Sequence, residues 1–198
     1  MIRRLGAWLF WSTLAAGVVG VARQRREAVA VRRGELTRPS ASAEIPLARP
    51  QPEWAERLGA WVPDRPATGL GRVAAAVWAA PLTAVGLLLA GLSGARPRWE
   101  EELGCFVVRG AGGPSRLALT AVGAHANTVG LVVISRRDDP DPVLLAHEAV
   151  HVRQSERLGP LIMVVYVWLA ARFGYRDHPL ERSARRGAAA WKRTHAAR

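Results

Sequence analysis

Cysteine is nearly absent: Cys105 is the only one in 198 residues. An internal disulfide framework and a Cys-rich metal finger are thereby excluded. Any metal site must draw on His and carboxylates. Lysine is equally scarce. Of 28 basic residues only Lys192 is Lys, against 16 acidic residues and a formal charge of +12. The Arg residues are spread along the chain and flank apolar runs instead of gathering on one face. That pattern argues against nucleic-acid binding and suits loops that meet anionic lipid. The chain is too short for two full catalytic domains. With 49% apolar and 22% charged residues it is not a disordered chain. No internal repeat is present.

Two long stretches lack charge. Residues 5–22, LGAWLFWSTLAAGVVGVA, follow Arg3 and Arg4. Eighteen helical residues span about 27 Å, close to a hydrocarbon core. A cleaved signal peptide ending near Gly20 and Ala22 is the plain alternative. Arg23, Arg25, Arg26, Arg32 and Arg33 follow at once, which favours a retained anchor. Residues 73–92, VAAAVWAAPLTAVGLLLAGL, form a second run, with Trp78 and Trp99 near its ends and Pro81 inside it. This run reads as a membrane span, and membrane helices tolerate an internal Pro. A third run, 158–171, reaches only about 21 Å and reads as a buried or membrane-grazing helix. Between the long runs, 23–72 carries Pro at 39, 46, 50, 52, 63 and 66 and ten Arg. It reads as a linker with a short helix around Trp54–Trp61. Orientation stays open, because basic residues on the two sides are nearly balanced.

Beyond Trp99 the pattern changes. CFVVR (105–109), RLALTAV (116–122) and TVGLVVIS (128–135) read as strands, with a Gly/Pro turn at 110–114. Short connections imply a small antiparallel sheet. A helix over roughly 142–158 follows. Asp141 can cap it, Pro142 suits its first turn, Gly159 can end it, and Pro160 blocks continuation.

Inside that helix lies His147-Glu148-Ala149-Val150-His151, an HExxH match. Residues i and i+4 share a helix face with Cβ atoms about 5–6 Å apart, so two imidazoles can converge on one metal. Glu148 is turned about 100° from His147 and cannot ligate beside them. It can reach a water on the metal. Zinc lowers such a water's pKa toward about 7, and Glu148 would take its proton and pass it to a departing amine. The helix is apolar nearly all round and should be buried, where two unpaired His and a Glu would be costly.

A third ligand must come from downstream. Glu156, on the same helix two turns away, reads as a solvated charge. A new helix opens near Pro179, with Glu181 in its first turn and an apolar stripe of Leu180, Ala184, Ala188 and Trp191. Ala184 beside Glu181 would permit close helix approach. Glu181 is the favoured ligand, against the plain role of a first-turn carboxylate facing the helix dipole. His178 is the reserve, against an N-cap or exposed His. Asp177 suits either an orienting contact to His147 or His151 or a cap. His125 and His195 read as loop and tail residues. Tyr166 and Tyr175 could stabilise an oxyanion, though packing is their plainer job.

HExxH followed by a Glu on a later helix resembles the gluzincin class of zinc metallopeptidases. A closer resemblance, over roughly 73–190, is to a group of small bacterial membrane proteins. They share an apolar helix with internal Pro, a strand, L-x-HE-x-x-HVRQ, Gly-Pro, and YRD-x-P-x-E-x-x-A. Here these read LLAHEAVHVRQ, LGP and YRDHPLERSA. The resemblance implies His147, His151 and Glu181 as zinc ligands and Glu148 as catalytic base. Where the pattern leads one to expect Asn, this chain has His178. In related peptidases a strand before the active helix pairs with extended substrate, and 129–135 occupies that place. The expectation is an α+β protein: anchor 1–22, linker 23–72, span 73–92 and a zincin-like domain over 99–198. It would bind Zn2+, contact membrane lipid and hydrolyse a peptide or protein, with no nucleic-acid partner. The alternative is a non-enzymatic membrane-anchored assembly or binding protein whose metal site is structural or vestigial.

Overall fold

The computed structural model describes residues 2–37 and 39–195, with side chains from Trp11 onward. The elements are α1 (Ile2–Arg32), α2 (Glu53–Ala60), α3 (Gly69–Leu92), β1 (Pro97–Glu100), β2 (Cys105–Val108), α4 (Gly113–Ala121), β3 (Ala126–Val129), β4 (Val132–Ser135), α5 (Pro142–Leu158), α6 (Leu161–Phe173) and α7 (Pro179–His195). The fold is α+β, with one small sheet among helices.

The sheet order is β1-β2-β4-β3, antiparallel at both outer pairs and parallel between β2 and β4. The expected all-antiparallel sheet is therefore corrected. Its cause lies in 116–122, which forms a helix and not a strand. Pro114 suits the first turn of α4, and the residues that bury are Ser115 and Leu119, an i, i+4 pair. A helical crossover is what allows β2 and β4 to run parallel. The single strand expected over 128–135 is likewise two strands joined by a turn at Gly130. That glycine sits at φ +62°, and a Cβ there would lie 2.3 Å from the Thr83 nitrogen of α3. Leu131 N donates to Thr83 Oγ1 across the same contact, at 3.1 Å. The turn exists because the chain must bend tightly against α3, which only glycine permits there.

Alternation along the strands divides the core. Cys105, Val107 and Val133 pack with Leu145 and Val152 of α5, while Val108, Val132 and Ile134 pack with Ala90 of α3 and Leu119 of α4. Helix α5 begins and ends where its sequence punctuation says. The Asp141 side chain accepts from Val143 N at 2.8 Å, and Gly159 closes the last turn at φ +53°. A Cβ on Gly159 would strike the Trp78 ring at 2.5 Å, so α3 lies tight against this end.

Among the described residues α3 is the one helix long and apolar enough to cross a membrane. It is uninterrupted through Pro81 and exposes Leu70, Val73, Val77 and Leu88. The expected first span, 5–22, lies partly outside the described side chains. Its helix continues ten residues beyond the uncharged stretch, through Arg23, Arg25 and Arg26. The third apolar run forms α6, which packs along α1 and leaves Leu161, Met163 and Trp168 exposed.

Candidate metal centre

Helices α5 and α7 pack along one another over much of their length. Small residues allow it: Ala184 and Ala188 are fully buried, and a Cβ on Gly187 would meet Val150 Cγ2 at 2.4 Å. This approach carries Glu181, in the first turn of α7, onto the His147/His151 face of α5. Glu181 Oε2 lies 3.3 Å from His147 Nε2, and Glu181 Oε1 lies 3.3 Å from His151 Nε2. One ligand atom from each residue falls within 4.8 Å of the others. His147 and Glu181 are 4% and 3% exposed.

Each imidazole is turned by a bond to its other nitrogen. His147 Nδ1 meets the Ala41 carbonyl at 3.0 Å, and His151 Nδ1 meets Gln154 Oε1 at 2.8 Å. Both partners are acceptors, so each Nδ1 carries the proton and each Nε2 faces Glu181. Gln154 is itself fixed, donating from Nε2 to Leu180 O at 3.3 Å and to Ser183 Oγ at 3.1 Å. Tyr166 of α6 donates to Glu181 Oε1 at 2.7 Å. Glu148 points elsewhere: Thr128 of β3 donates to its Oε2 at 2.6 Å. A cavity of about 330 Å³ opens here, lined by His147, Glu148, His151, Glu181, Tyr166 and Thr128 beside apolar side chains from α3, α4 and α6.

The electrostatics are those of a buried, mutually stabilised cluster. Burial alone would depress the His151 imidazole. The charge and hydrogen bond of Glu181, helped by Glu148 and Gln154, outweigh it and raise His151 to about 9. Burial would raise the Glu181 carboxyl, but His151 and His147 hold it well below the usual carboxylate range. Burial pushes the Tyr166 phenol up, reinforced by Glu181.

A buried His-His-Glu group of this kind can hold a metal ion, and the donor geometry suits one. Ligand distances of about 2.0–2.1 Å in a tetrahedron place neighbouring donor atoms about 3.3 Å apart; here each imidazole nitrogen lies 3.3 Å from a different oxygen of Glu181. Glu181 Oε2 is buried and makes no hydrogen bond. Nδ1–H bonds that leave both Nε2 atoms aimed inward are the usual arrangement behind metal-bound His.

The other sequence candidates lie elsewhere. His178 is wholly buried, but its Nε2 donates to Tyr166 O at 3.0 Å, its ring lies 4.3 Å from that of Tyr166, and it is outside the ligand group. Burial drives its imidazole down to about 4, so it is neutral. Directly preceding α7, it also supplies the carbonyl that accepts from Arg182 N. The expectation of an exposed His is corrected. Glu156 is not a solvated charge either: it is 8% exposed, and burial raises its carboxyl despite Arg153. Asp177 touches neither imidazole and instead accepts from Ala48 N. His125 pairs with Arg136, and exposed His195 stacks on Trp191 in the last turns of α7. The sheet edge beside the site is β3 (Ala126–Val129), while β4 is interior, so the strand expected over 129–135 is displaced toward the N-terminus. Tyr166, read mainly as packing, is bonded to the centre. Thr128, Gln154 and Ala41 were not anticipated. Only Gln154 carried a signal, its i+3 spacing from His151.

No family model, curated protein or solved structure matches this chain.

Proposed function

We propose that this protein is a membrane-anchored, zinc-dependent metallopeptidase of the gluzincin type. The observation that carries the reading is the meeting of two imidazoles and a buried carboxylate from α5 and α7, with Glu148 on the same helix facing the cavity. His147, His151 and Glu181 would hold Zn2+, since two neutral nitrogens and one carboxylate match its catalytic sites. Bound zinc supplies Lewis acidity, activating a water for attack on a peptide carbonyl. Glu148 would accept the proton of the attacking water on a carboxylate oxygen and return it to the leaving amine nitrogen. Thr128 holds Glu148 at one oxygen, leaving the other to receive the proton. Tyr166 and Gln154 keep the Glu181 and His151 side chains in place. The free edge of β3 suits an extended peptide, which would add as a strand beside the ligands.

Membrane anchoring is supported by the apolar skin. Leu70, Val77 and Leu88 of α3, with Trp11 and Val18 of α1, are between 64% and 82% exposed, a surface that water would penalise and lipid would not. The test of the activity is Glu148→Gln. It should retain zinc and lose peptide hydrolysis by 100-fold or more, the scale of a missing general base (about 10²–10⁴). Unchanged turnover would remove Glu148 from the reaction and with it this reading.

A further inference from the structure

The two imidazoles are oriented by very different means. His151 leans on Gln154, three residues along its own helix. His147 leans on the carbonyl of Ala41, 106 residues earlier in the chain. Ala41 belongs to the stretch between α1 and α2, whose described residues form neither helix nor strand. Such a stretch cannot hold a carbonyl in register unless something ties it down. Ala48 N donates to both carboxylate oxygens of Asp177, each at 3.3 Å. Gln51 Nε2 donates to Asp177 O at 2.6 Å, and Gln51 Oε1 accepts from Arg182 Nη1 at 3.0 Å. Arg176 adds a longer bond to Pro46 O at 3.5 Å. Residues 41–51 are thus fastened at one end to the α6–α7 turn and the start of α7, and at the other they reach the first ligand on α5. None of them lines the cavity, so the strap braces the centre without filling the space a substrate would take.

We propose that residues 41–51 form a structural strap that completes the metal centre: tied to Asp177 and Arg182, they present the Ala41 carbonyl that fixes the His147 imidazole for metal binding. Asp177 is then a positioning residue, acting on His147 through eight residues of backbone and not by contact. Because the presented group is a carbonyl, the side chain at position 41 carries no information. The ties at 48 and 51 do. The inference rests on the zinc reading above. Removing an orienting partner of a metal-bound His costs about 10- to 100-fold in affinity, which sets the expected effect.

The experiment compares full-length parent protein, Asp177→Ala, Asp177→Asn and Gln51→Ala in detergent. Zinc affinity is read by competition with a chromophoric chelator, and the visible spectrum is recorded after loading with Co2+. Asp177→Ala should bind zinc 10- to 100-fold more weakly and shift the cobalt bands. Asp177→Asn keeps an oxygen acceptor for Ala48 N and should restore both. Gln51→Ala, which leaves α7 intact, should weaken zinc in the same direction and decides the matter if Asp177→Ala does not fold. Parent protein that takes up no zinc overturns the metal reading and the strap with it. Parent-like affinity and cobalt bands in Asp177→Ala and Gln51→Ala overturn the strap alone. A loss in Asp177→Ala that Asn fails to restore overturns it too, since the carboxylate would then be acting by charge.

Discussion

Replacing Glu181 by Ala tests the centre most directly, because the proposed reading gives that carboxylate two separable jobs. The first is structural. Its side chain is 4% exposed, faces both imidazoles at 3.3 Å, and accepts from Tyr166 at 2.7 Å. Removing one partner of such a buried cluster typically costs about 3–5 kcal/mol, because the remaining polar groups are left buried without their partner. The second is metal binding. Losing a charged ligand should cost more than the 10- to 100-fold that an orienting partner costs, so zinc should bind over 100-fold more weakly, or about 2.7 kcal/mol and more. The two jobs separate in a denaturation assay with and without metal. In chelator the variant should be less stable than the parent by the first amount. With free zinc at about 1,000 times the parent's Kd, the parent should gain about 4 kcal/mol by mass action. At the same zinc concentration the variant should gain under 2 kcal/mol. Zinc bound one-to-one by Glu181→Ala, with Kd within threefold of the parent's, would refute the reasoning and move the third ligand elsewhere.

Further outcomes follow from the same geometry. In metal-stripped protein His151 stands at about 9, above its unfolded value of 6.5. Its contribution to stability is therefore complete below about 6.5 and lost as pH rises through 9. Glu181 is held low, so its contribution is present above its ordinary 4.5 and lost as pH falls. His178, held at about 4, costs stability as pH falls below its ordinary 6.5, so urea midpoints in chelator should peak near pH 6.5, and a profile flat from 5 to 9 would contradict the pairing. Zinc uptake near pH 7 should release about one proton, because the bound imidazole must be neutral; titration calorimetry in two buffers of different ionisation enthalpy counts it, and a count of zero would contradict the pairing. Thr128→Val deletes the donor to Glu148 and should lower kcat about 10-fold or more, with zinc content unchanged; an unaltered kcat would dismiss that bond. Gly187→Ala forces a Cβ toward Val150 across the α5–α7 contact and should cost about 1–3 kcal/mol, visible as a lower melting midpoint, while a neutral change would mean the helices part without cost.

The legible parts of this fold are those whose cause is local. Asp141, Pro142 and Gly159 bound α5 in the sequence and in the structure alike, because a cap, a fixed φ and a positive φ act within one turn. Helices α2 and α7 and the short apolar α6 were legible for the same reason. Residues 116–122 were not. The segment R-L-A-L-T-A-V alternates as a strand does, yet Leu119 and Ser115 also sit one helical turn apart, and only packing against α3 decides between the two periods. The turn at Gly130 was hidden inside a β-branched run because its requirement, close passage over Thr83, comes from a residue 47 positions earlier.

The centre divides along the same line. HExxH fixes two imidazoles and a carboxylate by helical spacing, which any reader of the chain can compute. Glu181 could be ranked but not placed, since its approach depends on Ala184, Gly187 and Ala188 letting α7 settle onto α5. The contact behind His147 was beyond sequence reasoning altogether. A backbone carbonyl has no residue signature, so Ala41 looks like any alanine in a Pro-rich linker. What betrays its role is the company it keeps: Asp177 and Arg182 are bonded to the same strap and not to the ligands. On the proposed reading, a side chain that looks like a cap or a spare ligand in one dimension would act on His147 through a stretch of chain that carries no motif.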